Sequence, residues 1–127
     1  MNEQIIERAN ILHQESQAIE EQIGFVEQQI SELEQFTSEL NILHSGDKSE
    51  ILSSLGKGVY VRGNVEKKDF FVDVGAGVVM KKSFNEVQSI IKQQLEGLKV
   101  LRENSQNRLL ELRDEFERII KNIEKTR

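Results

Sequence analysis

The chain contains no cysteine, no proline and no tryptophan. Without cysteine there is no disulfide framework, no thiolate zinc site and no cysteine nucleophile. That fits a reducing cytosol, and the expected location is cytoplasmic. Without proline, nothing is bound to break a long helix. No apolar run approaches the ~20 residues that span a bilayer, so no membrane partner is expected. The start, MNEQIIERAN, lacks the basic and apolar regions of a signal peptide. Hydrophobic residues make up 37% and aromatics 6%, which is low for a compact globule and suits a narrow apolar seam. The net charge of −5 argues against a nucleic-acid partner. At 127 residues there is one domain's worth of chain.

What is present falls into three parts: residues 1–44, 45–82 and 83–127. The middle part holds five of the eight glycines, Gly56, Gly58, Gly63, Gly75 and Gly77. Between them run Val59-Tyr60-Val61 and Phe70-Phe71-Val72-Asp73-Val74. Branched and aromatic side chains fit a pleated, half-buried surface. Short strands are expected at 50–53, 59–65, 70–74 and 78–81. Gly56-Lys57-Gly58 and Gly75-Ala76-Gly77 turn two hairpins, and Glu66-Lys67-Lys68-Asp69 links them.

The first part reads as one helix. Ile5, Ala9, Leu12, Ser16, Ile19, Ile23, Val26, Ile30, Leu33, Thr37 and Leu40 step by four and three without a break. That is a heptad seam, which needs a partner helix. Gly46 suits a C-terminal cap, in the run Ser45-Gly46-Asp47. The last part opens on a capping box, Ser83 with Glu86. Its seam reads Phe84, Val87, Ile91, Gln94, Leu98, Leu101, Ser105, Leu109, Leu112, Phe116, Ile119 and Ile123, with a stutter between Leu101 and Leu112. The expected fold is therefore mostly α within an α+β class. It is an antiparallel two-helix coiled coil with both hairpins at its closed end and both termini at its open tip. Ile5 then faces Ile119–Ile123, and Val26 faces Leu101. Residues 1–44 carry nine Glu against one Arg, a net −8, whereas residues 83–127 carry nine basic and eight acidic residues. The opposed signs favour pairing of the helices, by small amounts.

Two hairpins on a coiled coil leave strand edges open and give Val59, Val61, Phe71, Val74 and Val78 too little core. These five are the expected oligomer interface, an oligomerisation platform completed by other subunits. At the tips, apolar residues exceed what a seam requires. Ile5, Ile6, Ile11, Leu12, Leu110, Phe116, Ile119, Ile120 and Ile123 are the candidate contacts for a partner chain. A stripe of Ile11, Ala18 and Phe25 lies seven residues apart and off the seam; it reads either as scattered surface residues or as a second contact strip.

Signals for chemistry are few. Gly56-x-Gly58-x-x-x-x-Gly63 fits neither dinucleotide nor P-loop spacing, and no helix follows it. His13 lies off the seam and His44 at a helix end, both read as solvated. Asp69 and Asp73 read as outward strand residues rather than a catalytic pair. No enzyme activity, catalytic residue, metal or cofactor is expected.

LGKGVYVRG followed by FFVDVGAGVVMKKS, between two coiled-coil helices, resembles the alpha-class subunit of prefoldin, of archaeal type. Such subunits often carry a proline before the first glycine-rich turn; here Ile51-Leu52-Ser53-Ser54 stands there. The resemblance implies a hexamer of two alpha-class and four beta-class subunits, whose hairpins join into a β-barrel platform from which six coiled coils hang. It implies an ATP-independent holdase that captures non-native client proteins at the coil tips and passes them to a group II chaperonin. The alternative is a structural assembly or tethering subunit without holdase activity.

Overall fold

The computed structural model describes residues 2–46, 50–65 and 69–125. Its elements are α1 (Asn2–Ser45), β1 (Glu50–Gly56), β2 (Val59–Asn64), β3 (Phe70–Gly75), β4 (Val78–Lys82) and α2 (Phe84–Lys125). Asp47 and the link Glu66-Lys67-Lys68 lie outside the described residues. The chain forms two compact units, one of residues 1–32 with 95–127, the other of residues 33–94.

In the first unit α1 and α2 run antiparallel. Arg8 Nη2 donates to Glu115 Oε1 at 3.0 Å, Glu15 faces Arg108 at 3.9 Å, and Glu20 pairs with Arg113. Two of these three bridges join an acid of α1 to an arginine of α2, as the charge imbalance implied. The core is the seam itself: Ala9, Leu12, Val26, Ile30, Ser105, Leu109 and Leu112 are buried, and Leu12 and Leu112 are wholly so.

In the second unit the seam continues through Leu40, Val87 and Ile91, all buried. Gln88 Nε2 donates to Asn41 Oδ1 at 2.9 Å. The Gly46 N–H donates to the Ile42 carbonyl at 2.9 Å and closes the last turn of α1. The capping box forms in both directions. The Glu86 N–H donates to Ser83 Oγ, and the Ser83 N–H to Glu86 Oε1, each at 3.2 Å. Two donors that a helix start leaves unpaired are thereby satisfied.

The seam of α2 differs from the sequence reading. Gln94 is exposed and Leu101 is 39% exposed, whereas Leu95 and Arg102 are half-buried. The stutter is Val87 to Ile91 to Leu95, two steps of four. From Leu95 onward the steps alternate regularly through 98, 102, 105, 109, 112, 116, 119 and 123. A long basic side chain can fill such a place, because its aliphatic stem covers apolar surface while its charge stays in water.

His44 is corrected too. It is half-buried, and its ring stacks on Phe84 at 3.7 Å and 5° between planes. Phe70 tilts against the same Phe84 ring at 6.2 Å. One ring thus joins the end of α1, the start of β3 and the start of α2.

Candidate functional site

Each hairpin is a separate two-stranded antiparallel sheet, β1 with β2 and β3 with β4. Their turns are near copies: Ser54-Leu-Gly-Lys-Gly-Val59 and Asp73-Val-Gly-Ala-Gly-Val78. In the first, Ser54 pairs with Tyr60 and Gly56 with Val59, so Leu55 is an extra, bulged residue. In the second, Asp73 pairs with Val79 and Gly75 with Val78, so Val74 is bulged. Lys57 (φ 54°) and Gly58 (φ 78°) make the first turn, Ala76 (φ 52°) and Gly77 (φ 75°) the second. Positive φ at both central residues matches the right-handed twist of the strands. A side chain braces each bulge: the Gly56 N–H donates to Ser54 Oγ at 3.2 Å, and the Gly75 N–H to Asp73 Oδ1 at 2.9 Å.

The sequence reading found the turn glycines but missed the bulges. The signal was there, since Ser and Asp two residues before a glycine are turn formers. Asp73 is thus a turn residue, while Asp69 pairs with Lys81 Nζ at 3.3 Å. Each aspartate has its own local partner, and they do not act as a pair.

The strand register sorts the second hairpin into two faces. Phe70, Val72, Met80 and Lys82 share one, and all but Met80 are half-buried. Phe71, Asp73, Val79 and Lys81 share the other, which is exposed. The residues expected to form an oligomer interface, Val59, Val61, Phe71, Val74 and Val78, are all exposed, Phe71 by 68%. Ile51, Leu52, Leu55, Tyr60, Val79 and Met80 are exposed beside them, a larger apolar surface than the sequence singled out. Among the described residues the strands expose apolar side chains on this scale with unpaired edges, the marks of a surface made for pairing.

In the first unit the candidate contact residues divide by heptad position. Ile6 (52%) and Leu110 (59%) are well exposed, and Ile11 and Ile120 are exposed less. Ile5, Phe116, Ile119 and Ile123 are half-buried in the seam. Leu12 is fully buried in the paired helices, so it meets a partner chain only where the helix ends fray. The stripe Ile11, Ala18 and Phe25 is exposed along its length. Phe36, Ile42 and Val100 are also exposed, and the sequence reading did not mark them.

His13 is exposed, but its ring tilts against Phe116 at 6.4 Å. Both rings line a hollow of about 260 Å³ with Ser16, Gln17, Glu20, Arg113 and Glu117.

Glu86 is held below the ordinary value of 4.5, first by the backbone hydrogen bond from Ser83, then by its hydroxyl, with a lesser pull from Lys82. Lys82 Nζ stands 3.6 Å from its carboxylate. Among the described residues no group of three or more His, Cys, Asp or Glu could hold a metal ion. No described helix is long and apolar enough to cross a membrane.

Comparison with known proteins adds two findings. A family model described as prefoldin subunit matches residues 12–126. A chain from the cryo-EM structure of filamentous PFD from Methanocaldococcus jannaschii has the same fold, with a TM-score of 0.77 at 22% identity over 90% of this chain and 96% of that one. No curated protein sequence matches the chain.

Proposed function

The chain belongs to the prefoldin family of chaperone subunits, and from that premise we propose that it is an alpha-class subunit of an ATP-independent holdase. In this reading it works in the cytoplasm. It joins beta-class subunits in a hexamer of two alpha and four beta, holds non-native proteins and delivers them to a group II chaperonin. Residues 1–44 and 83–127 act as the arms of one subunit, and residues 45–82 as the segment that assembles it.

The observation that carries the reading is the pair of hairpins, whose exposed apolar residues and strand edges no other described part of the chain covers. Burying Val59, Val61, Phe71, Val74 and Val78 against other subunits removes that surface from water, at roughly 25 cal/mol per Å². Clients are assigned to the exposed Ile6, Ile11, Leu110 and Ile120. Fraying of the terminal turns adds Ile5, Phe116, Ile119 and Ile123. Each such contact is weak, so holding depends on several arms at once.

The tethering alternative draws on the burial of Leu12 and the half-burial of Ile5, Phe116, Ile119 and Ile123, which suit closing a coil. Aggregation of a denatured protein, followed by light scattering with and without a beta-class partner, separates the two. A holdase suppresses scattering; a tether assembles with its partner and leaves scattering unchanged.

A further inference from the structure

The first unit carries a gap in its own seam. Ser16 occupies a seam position between Leu12 and Ile19, where a large apolar residue would fill the space between helices. The small side chain leaves the hollow of about 260 Å³. Its apolar surface comes from Phe116 and the tilted His13 ring. Its charged walls are Glu20, Arg113 and Glu117. Arg113 is already paired with Glu20, which leaves the Glu117 carboxylate as the excess charge. Residues 1–32 of α1 reinforce that sign around the helix as a whole, with seven Glu against Arg8, two of them (Glu15 and Glu20) paired with Arg108 and Arg113. An aromatic ring beside a carboxylate, in an acidic field, suits a long aliphatic stem that ends in a cation.

We propose that the hollow over Ser16 is an anchor for one arginine or lysine side chain of a bound, non-native segment, so that apolar segments carrying basic residues are held in preference to neutral ones. This rests on the client-holding reading above. Phe116 lies against the stem and Glu117 faces the cation.

The test uses the full chain and two labelled peptides, one alternating leucine with arginine, the other alternating leucine with citrulline. Citrulline keeps the shape of arginine without its charge. The wild type binds the arginine peptide about fivefold more tightly, the scale of one partly desolvated cation on a ring. Ser16→Leu fills the gap. It raises the melting temperature and abolishes the preference. Glu117→Gln, at an exposed helical position, lowers the preference with the fold intact.

A preference that survives Ser16→Leu comes from the general acidic field and overturns the anchor. Equal binding of both peptides by the wild type overturns it as well. Aggregation suppression measured in parallel keeps the two readings apart. Suppression without an arginine preference overturns the anchor alone; absence of both takes the holding reading down with it.

Discussion

At the residue scale, the turns and the cap carry sharp consequences. Ala76 sits at φ 52°, where an L-residue crowds its own carbonyl and glycine does not. Ala76→Gly is expected to stabilise the second hairpin by about 0.5–1 kcal/mol, the strain relieved less the entropy glycine adds to the unfolded chain. Ala76→Val should destabilise it, and thermal unfolding of both variants reads the difference. The cap gives a pH dependence. Glu86 has its value lowered in the folded chain, so its contribution is fully present above 4.5 and is lost as pH falls through the lowered value. Glu86→Gln removes that titration. The gap in melting temperature between wild type and variant should therefore shrink from about pH 6 to about pH 3. A constant gap would detach the cap from the carboxylate's charge. The capping box was legible in the sequence because its two partners lie three residues apart. The stacking of His44 on Phe84 was not, because it joins residues forty positions apart through the fold.

At the element scale, the two helices were not equally legible. Every seam residue expected in α1 is buried or half-buried, since its four-three alternation never lapses. In α2 the alternation lapses once, and Leu101 lies next to Arg102 at the point where the choice must be made. Hydrophobicity favours Leu101, but the phase inherited from Leu95 and Leu98 puts Arg102 on the seam. Packing geometry outweighs the preference of a single residue. The energetic contrast is large. Leu12→Ala opens a cavity at a fully buried site and should cost about 2–5 kcal/mol. Leu101→Ala, at a site 39% exposed, should cost less than about 1.5 kcal/mol. Urea titrations of the two variants check this, and equal costs would restore Leu101 to the seam. In the strands, the branched runs and glycines marked the hairpins, but the ends differ: β1 reaches Gly56, β3 Gly75 and β4 Lys82, while β2 stops at Asn64. The only local mark of each bulge is the Ser or Asp two residues before its glycine. Phe71→Asp tests what the exposed face is for. A charge placed in a completed interface costs several kcal/mol, whereas on a free surface it costs almost nothing. Assembly by sedimentation should fail while helical circular dichroism stays near wild type; normal assembly would remove Phe71 from the interface.

At the scale of the whole molecule, the question is whether the arms hold clients or only close on each other. Ile6→Ser, Leu110→Ser and Ile120→Ser together remove exposed apolar surface beside the seam and leave Leu12 and Leu112 in place. The triple variant should keep its melting temperature to within a few degrees and lose most of its aggregation suppression, once the other arms of the assembly are truncated. Loss of both in step would make these residues structural. Retention of both would place client contact elsewhere. The repeated turn has a further consequence, best put in the language of polymer chemistry. Each hairpin has only two strands, so each of the four strands keeps one row of backbone donors and acceptors unused. On the proposed reading, in which those rows pair with other subunits, the chain is a monomer with more than one reactive end, and its two connectors are built to nearly the same shape by the same braced bulge. Monomers of that kind do not set their own degree of polymerisation. They close into rings when the angle between successive bonds permits, and otherwise keep growing until a chain terminator joins the mixture. In the proposed hexamer the beta-class subunits are those terminators, and mixing the two chains in steps should move the product through discrete masses that end at two alpha and four beta.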